Sequence, residues 1–230
     1  MLPRPPEADR QPLPDLLHRA LFKAVSLLPP RSQAVLLRRY FNWWHRSPDP
    51  WRLRTDDYEQ HKYATTLRLL PARPYHRIID VGCSEGVFTH MLATRYPDAE
   101  VTGVDVSERA LDRARARPAR ERLTFTCADL ISYTPPGAFD LVFCAETLYY
   151  LGRGERLRLA SARLTELVAP GGLLTLVHPL ARGRTPLHLH QRHDADSAPR
   201  RDRDPPAVLR DRPPGRARGE MTIVGPGPCP

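Results

Sequence analysis

The sequence predicts an α/β domain built on a parallel sheet covered by helices, and three observations carry that expectation. The run Ile78-Ile79-Asp80-Val81-Gly82-Cys83-Ser84-Glu85-Gly86 reads as a buried strand that breaks at a glycine turn. Val104-Asp105-Val106-Ser107 reads as a second strand, one helix later, ending on an acid. From about residue 71 to 182, strand-like apolar runs alternate with helical periods, which is the signature of a helix-covered parallel sheet.

Taken in order, residues 1–14 carry Pro3, Pro5, Pro6, Pro12 and Pro14 among charges and read as a disordered arm. Residues 15–70 read as a helical cap. Asp15 caps a helix with Leu16, Leu17, Leu21, Ala24, Val25 and Leu28 on one face, ending at Pro29-Pro30. Ser32 starts a second, with Val35, Leu36, Tyr40, Phe41 and Trp44 set against Arg38 and Arg39. Both are amphipathic and suit a cover for a site or a dimer contact better than a membrane-surface helix. A third helix is expected from about Asp56 to Leu70.

Strands are then expected at 77–82, 100–106, 122–127, 138–145 and 172–178, with helices at 86–95, 107–117 and 153–169. Pro170-Gly171-Gly172 is read as the stop of the last helix. Residues 183–230 lose this order. They are rich in arginine and proline, only Met221-Thr222-Ile223-Val224 resembles a strand, and the whole segment reads as a disordered tail.

Composition removes several function classes. No apolar run reaches the length of a membrane span, and Leu16–Leu28 lacks a small-residue cleavage site, so a cytoplasmic location is expected. The net charge of +9 comes almost wholly from scattered arginines, with Lys23 and Lys62 the only lysines. GC-rich codons produce that bias without any ligand, which argues against a nucleic-acid partner. The cysteines at 83, 127, 144 and 229 form no C-x-x-C pair, and His188, His190 and His193 have no converging ligands, so no metal is expected.

The two strand ends define a crevice for a nucleoside-bearing cofactor. The turn Gly82-Cys83-Ser84-Glu85-Gly86 departs from G-x-G-x-x-G, and it places Glu85 where a phosphate would sit, with Asp80 nearby. Two acids suit a cation. S-adenosyl-L-methionine has no phosphate and carries a sulfonium and an ammonium, so the turn favours it over NAD. Asp105 is placed to accept from ribose hydroxyls, with an N-cap as the plainer role, one that Ser107 fills equally well. Asp129, in Cys127-Ala128-Asp129-Leu130, is placed to accept from an adenine amino group.

These segments resemble the class I S-adenosylmethionine-dependent methyltransferases. The matching stretches are 79–86, 103–107, Ala128-Asp129-Leu130, 139–146 and Leu167-Val168-Ala169-Pro170-Gly171-Gly172. Asp49-Pro50-Trp51, Tyr58-Glu59-Gln60-His61-Lys62-Tyr63 and 145–151 resemble more narrowly the NodS-like branch, nodulation-type N-methyltransferases of a chitooligosaccharide amino sugar. The resemblance implies a Rossmann-like sheet of the class I type over residues 71–182. It implies that Asp80, Gly82, Cys83, Ser84 and Gly86 surround the methionine part of the cofactor. Asp105 would hold the ribose and Asp129 with Leu130 the adenine, with Val106 and Ala145 also among the cofactor-binding residues.

The Asn/Asp-Pro-Pro-Tyr motif of enzymes that methylate DNA bases or protein glutamine is replaced by Cys144-Ala145-Glu146-Thr147. The implied acceptor is therefore a small molecule, an amino sugar for this branch. Glu146, Tyr149 and His178 are the candidate catalytic residues, Glu146 to hold or deprotonate an amine. An O-methyltransferase of a small metabolite is the alternative reading. Such enzymes close their sheet with two further strands. Here that pair is expected to be missing or disordered, which would leave the fifth strand bare and, on a further alternative, the chain a catalytically inactive remnant.

Overall fold

The computed structural model describes residues 22–152, 154–179 and 219–224. The expected arm at 1–14, most of the tail, and His188, His190 and His193 lie outside these residues. Residues 22–25 are helical. They are followed by α1 (Pro30–Trp44), α2 (Asp57–Leu69), β1 (Arg77–Val81), α3 (Val87–Arg95), β2 (Glu100–Asp105), α4 (Glu108–Arg115), β3 (Leu123–Cys127) and β4 (Phe139–Ala145). A 3-10 turn at Leu148–Leu151, α5 (Glu155–Glu166), β5 (Val168–Pro179) and β6 (Gly219–Val224) complete the order.

The sheet runs β3-β2-β1-β4-β5-β6, with the first five strands parallel. Neighbouring β1 and β4 lead outward in opposite directions, so a crevice opens at their carboxyl ends, where doubly wound sheets bind ligands. Strand alternation sends Ile79, Val81, Val142 and Cys144 into a core with Leu37, Leu148 and Leu164. Ile78, Leu141 and Phe143 enter a second core with Tyr63, Phe88 and Leu92. Burial on both faces explains the near-continuous apolar runs read from the sequence.

Four details correct that reading. Gly219–Val224 is not structureless: it forms an antiparallel strand on β5, pairing Leu174 with Val224 and Pro179 with Gly219. The fifth strand is therefore not bare over this stretch, and one strand beyond it is present. Its unsatisfied edge groups find partners in the short β-favouring run Met221-Thr222-Ile223-Val224.

Second, Pro170-Gly171-Gly172 does not simply end a helix. β5 already begins at Val168, and the register jumps from Phe139↔Val168 to Leu141↔Leu173. The excursion passes through Gly171 at φ +74, and a Cβ on Gly172 would lie 2.8 Å from the Ala169 carbonyl oxygen. Third, α1 begins at Pro30 rather than Ser32, since proline fits the first helical position, where its missing N–H would have no partner anyway.

Fourth, the buried side of α1 carries Gln33 and Leu37, while Val35 and Leu36 face outward. Gln33 fixes that rotation by donating from Nε2 to the Leu151 carbonyl at 3.2 Å. Among the described residues no helix is long and apolar enough to cross a membrane.

Candidate active site

β1 delivers Asp80 into the interior, 3% exposed, where Thr89 Oγ1 of α3 donates to its carboxylate at 2.6 Å. Burial pushes the Asp80 carboxyl up to about 7; the Thr89 hydrogen bond opposes the shift and Asp105 adds to it. The chain then turns through Gly82 at φ +76 and Gly86 at φ +68. A Cβ on Gly82 would fall 2.0 Å from Thr147 Oγ1, and one on Gly86 would press on Phe125 and Ala114. Gly86 therefore packs the turn against the sheet rather than lining the cavity.

Ser84 also takes a left-handed conformation, φ +51, that glycine would adopt without strain. Its hydroxyl lies 3.0 Å from His45 Nε2, while His45 Nδ1 donates to the Phe41 carbonyl at 2.9 Å. The substitution at this turn is thus more than tolerated for its size: it ties the turn to the end of α1.

Asp105 closes β2. Its two oxygens accept the Ser84 N–H at 2.9 Å and the Ser107 N–H at 2.8 Å. Burial raises its pKa, opposed by these hydrogen bonds and by His45. Ser107 is the N-cap of α4, accepting the Ala110 N–H at 3.3 Å, which frees Asp105 from that role. Each Asp105 oxygen keeps a lone pair for a ribose hydroxyl.

Past β3, Asp129 accepts the Ile131 N–H at 3.0 Å, and its other oxygen pairs with Arg156 of α5. Arg156 is 5% exposed and also donates to the Pro30 carbonyl at 3.0 Å, bridging the cap and the loop after β3. Nothing in the residue pattern marks this arginine among so many others.

Glu85 proves not to face a ligand. Its carboxylate accepts from Arg113 at 3.0 Å and from the Asp49 N–H at 2.9 Å, pinning the 46–49 loop to the turn. The cationic-cofactor inference therefore rests on Asp80 and the glycine spacing of the turn, and loses Glu85 as support. Of the cap aromatics, Trp51 and Tyr63 line the cavity, whereas Tyr40, Trp43, Trp44 and Tyr58 do not. Tyr40 stacks on Trp44 at 5.8 Å and meets Phe22 edge-on at 5.2 Å, so it serves the packing of the cap.

The cavity, about 310 Å³, joins these strand ends to the inner face of α2. Glu146 follows β4 at φ +50, and its N–H donates to the Val177 carbonyl at 2.8 Å. Its carboxylate pairs with Lys62 Nζ, which also lies 2.5 Å from Glu59. Burial opposes the Lys62 charge, but Glu146 and Glu59 outweigh it and raise the Lys62 pKa. Burial raises that of Glu59.

Glu59, Lys62, Tyr63 and Thr66 share one face of α2, the i, i+3, i+4, i+7 pattern that places all four inward. That spacing was present in the sequence and would have singled out Glu59 and Lys62. Ala145, Val106 and Leu130 line the wall, and Tyr149 donates its hydroxyl to Tyr150 at 3.0 Å. His178 lies in β5 opposite Glu220; its side chain is outside the described set.

The donor set fits S-adenosylmethionine. Asp105 offers acceptors for a ribose, Ala128, Leu130 and Ile131 offer an apolar slot for adenine, and a cation beside the buried Asp80 would favour its ionised form. Residues 32–183 match the family described as Nodulation protein S (NodS). The chain belongs to the NodS family.

It is 33% identical over 175 residues to the Nodulation protein S of Rhizobium tropici, covering 72% of this chain and 71% of that one. Trans-aconitate 2-methyltransferase of Paracidovorax citrulli is 39% identical over 139 residues, 59% of this chain and 51% of that one. Among solved structures, N-methyltransferase NodS from Bradyrhizobium japonicum WM9 in complex with S-adenosyl-L-homocysteine superposes with a TM-score of 0.54 at 29% identity. That superposition covers 61% of this chain and 71% of the other. Family, fold and cofactor agree: this member of the NodS family is an S-adenosylmethionine-dependent methyltransferase with a class I Rossmann-like sheet.

Proposed function

We propose that this enzyme methylates an amino group of a small, uncharged-to-cationic acceptor, an amino sugar or amino-sugar oligosaccharide being the class that fits. One observation carries the reading. Beside the cofactor residues, the cavity presents the carboxylates of Glu59 and Glu146, with Lys62 as the single cation between them. Such an end attracts an ammonium and repels a polycarboxylate.

When bound, the cofactor supplies an electrophilic methyl on a sulfonium. The chain's own task is to align the acceptor, exclude water and provide a nitrogen with a free lone pair. Glu146 accepts a hydrogen bond from the amine and takes its proton. Tyr149, with its hydroxyl committed to Tyr150, acts as a wall. Trp51 and Tyr63 offer apolar faces on which a sugar ring packs.

The similarity to trans-aconitate methyltransferases favours a second reading, O-methylation of a carboxylate. The charges weigh against it: of the cations lining the cavity, Arg156 is engaged by Asp129 and Lys62 by two glutamates. Release of S-adenosylhomocysteine, followed with glucosamine, chitosan oligosaccharides and trans-aconitate, tests the proposal. Turnover of an amine above the solvent background supports it; turnover of trans-aconitate alone refutes it.

A further inference from the structure

Lys62 fills no role required by methyl transfer itself, yet it is held between two carboxylates at the cavity wall. Its side chain is 11% exposed, lies between Glu59 and Glu146, and has the rings of Tyr58 and Tyr63 at 5.9 and 5.6 Å. Two carboxylates and two aromatic faces are the surroundings that recognise an ammonium. The acceptor end thus holds one ammonium already, from the chain itself. With two glutamates and one lysine, it retains one uncompensated negative charge.

We infer that Lys62 is the residue that sets the charge of the acceptor, tuning the subsite to a molecule with one amino group and refusing a second cation nearby. This rests on the amine reading above. The compact Lys62 ammonium touches both glutamates at once, a task for a point charge with three rotatable donors rather than a planar guanidinium. An acceptor with one amine meets the remaining charge of Glu146. A diamine would bring its second ammonium against Lys62, where like charges repel.

Lys62→Met leaves both glutamates to the acceptor, and Glu59→Gln removes the residual negative charge. The test measures kcat/KM of wild type and both variants with glucosamine and a 2,6-diamino-2,6-dideoxyhexose, and the inhibition constant of N-acetylglucosamine, whose amide nitrogen is not methylated. Cofactor affinity is followed in parallel. Wild type is expected to prefer glucosamine. Lys62→Met should shift the diamine-to-monoamine ratio by about tenfold toward the diamine, with cofactor affinity unchanged.

Glu59→Gln should weaken binding of glucosamine relative to that of N-acetylglucosamine, and it decides the matter if Lys62→Met does not fold. Unchanged ratios in the variants that fold and bind cofactor would overturn the role of Lys62 while leaving N-methylation standing. Failure of wild type to use either amine would instead bring down the amine reading, and this inference with it.

Discussion

Ser84 Oγ and His45 Nε2 stand 3.0 Å apart, joining a strained residue of the cofactor turn to a histidine buried at the end of α1. Ser84→Gly relieves a left-handed φ worth about 1 kcal/mol but loses a hydrogen bond of about the same size. Its stability should therefore stay within about 1 kcal/mol of wild type. His45→Ala empties a buried site and should cost about 2–4 kcal/mol. In urea denaturation the double variant should fall short of the summed losses by about 1 kcal/mol. Strict additivity would show that the contact carries no energy.

Asp105 accepts two backbone N–H groups and has lone pairs left for the ribose. Asp105→Ala removes both functions, leaving the turn donors unpaired and the ribose unheld. Calorimetric titration should show S-adenosylmethionine binding weakened about 100-fold or more, while Asp105→Asn loses less because it keeps the shape. Wild-type affinity in Asp105→Ala would remove Asp105 from the cofactor site.

Asp80 carries a pH signature. Its carboxyl sits at about 7 in the fold against an ordinary 3.8, chiefly because it is buried. Between those values the folded state holds a proton that the unfolded chain has released, so stability falls as pH rises from about 4 to about 7 and is level above. Asp80→Asn should flatten that slope in thermal melts. The cofactor's positive charge favours the ionised form, so S-adenosylmethionine binding should tighten as pH rises toward 7, by up to about tenfold per pH unit. A pH-independent affinity would mean that Asp80 does not sense the cofactor.

Gly82→Ala drives a methyl to 2.0 Å from Thr147 Oγ1 at a backbone φ of +76. A loss of roughly 2–3 kcal/mol is expected from the clash and the strained φ together. Adding Thr147→Ala removes the nearest atoms, and should recover part of the loss but not the φ cost. No recovery in the double variant would place the damage elsewhere, for instance in the cofactor-binding turn as a whole.

The parallel sheet was legible because the central strands β1 and β4 are buried on both faces, so their apolar runs are continuous and end beside an acid or a glycine. Asp80, Gly82, Asp105 and Asp129 sit at or just past strand ends and inherit their places from the backbone. The opposite wall was harder. Lys62 and Glu59 lie on a helix whose inward face is polar, and a search for apolar stripes passes over such a face. Arg156 was hidden by the abundance of arginine, and the pairing of Ser84 with His45 joins residues 39 positions apart that no periodicity links. Glu85 shows the converse: a charge that looked aimed at the ligand was taken up by Arg113, a partner from another helix.

The antiparallel β6 is separated from the five parallel strands in time as well as in sequence. β1 to β5 follow one another closely along the chain, whereas β6 arrives only after residues 180–218 have been made. At roughly 5–20 residues per second, a nascent chain spends a few seconds with the outer edge of β5 unpaired along Leu174–Pro179. That interval is when strand addition by a neighbouring chain competes with the enzyme's own last strand. The yield of folded protein should therefore respond to synthesis rate and chaperone supply more than its final stability would suggest.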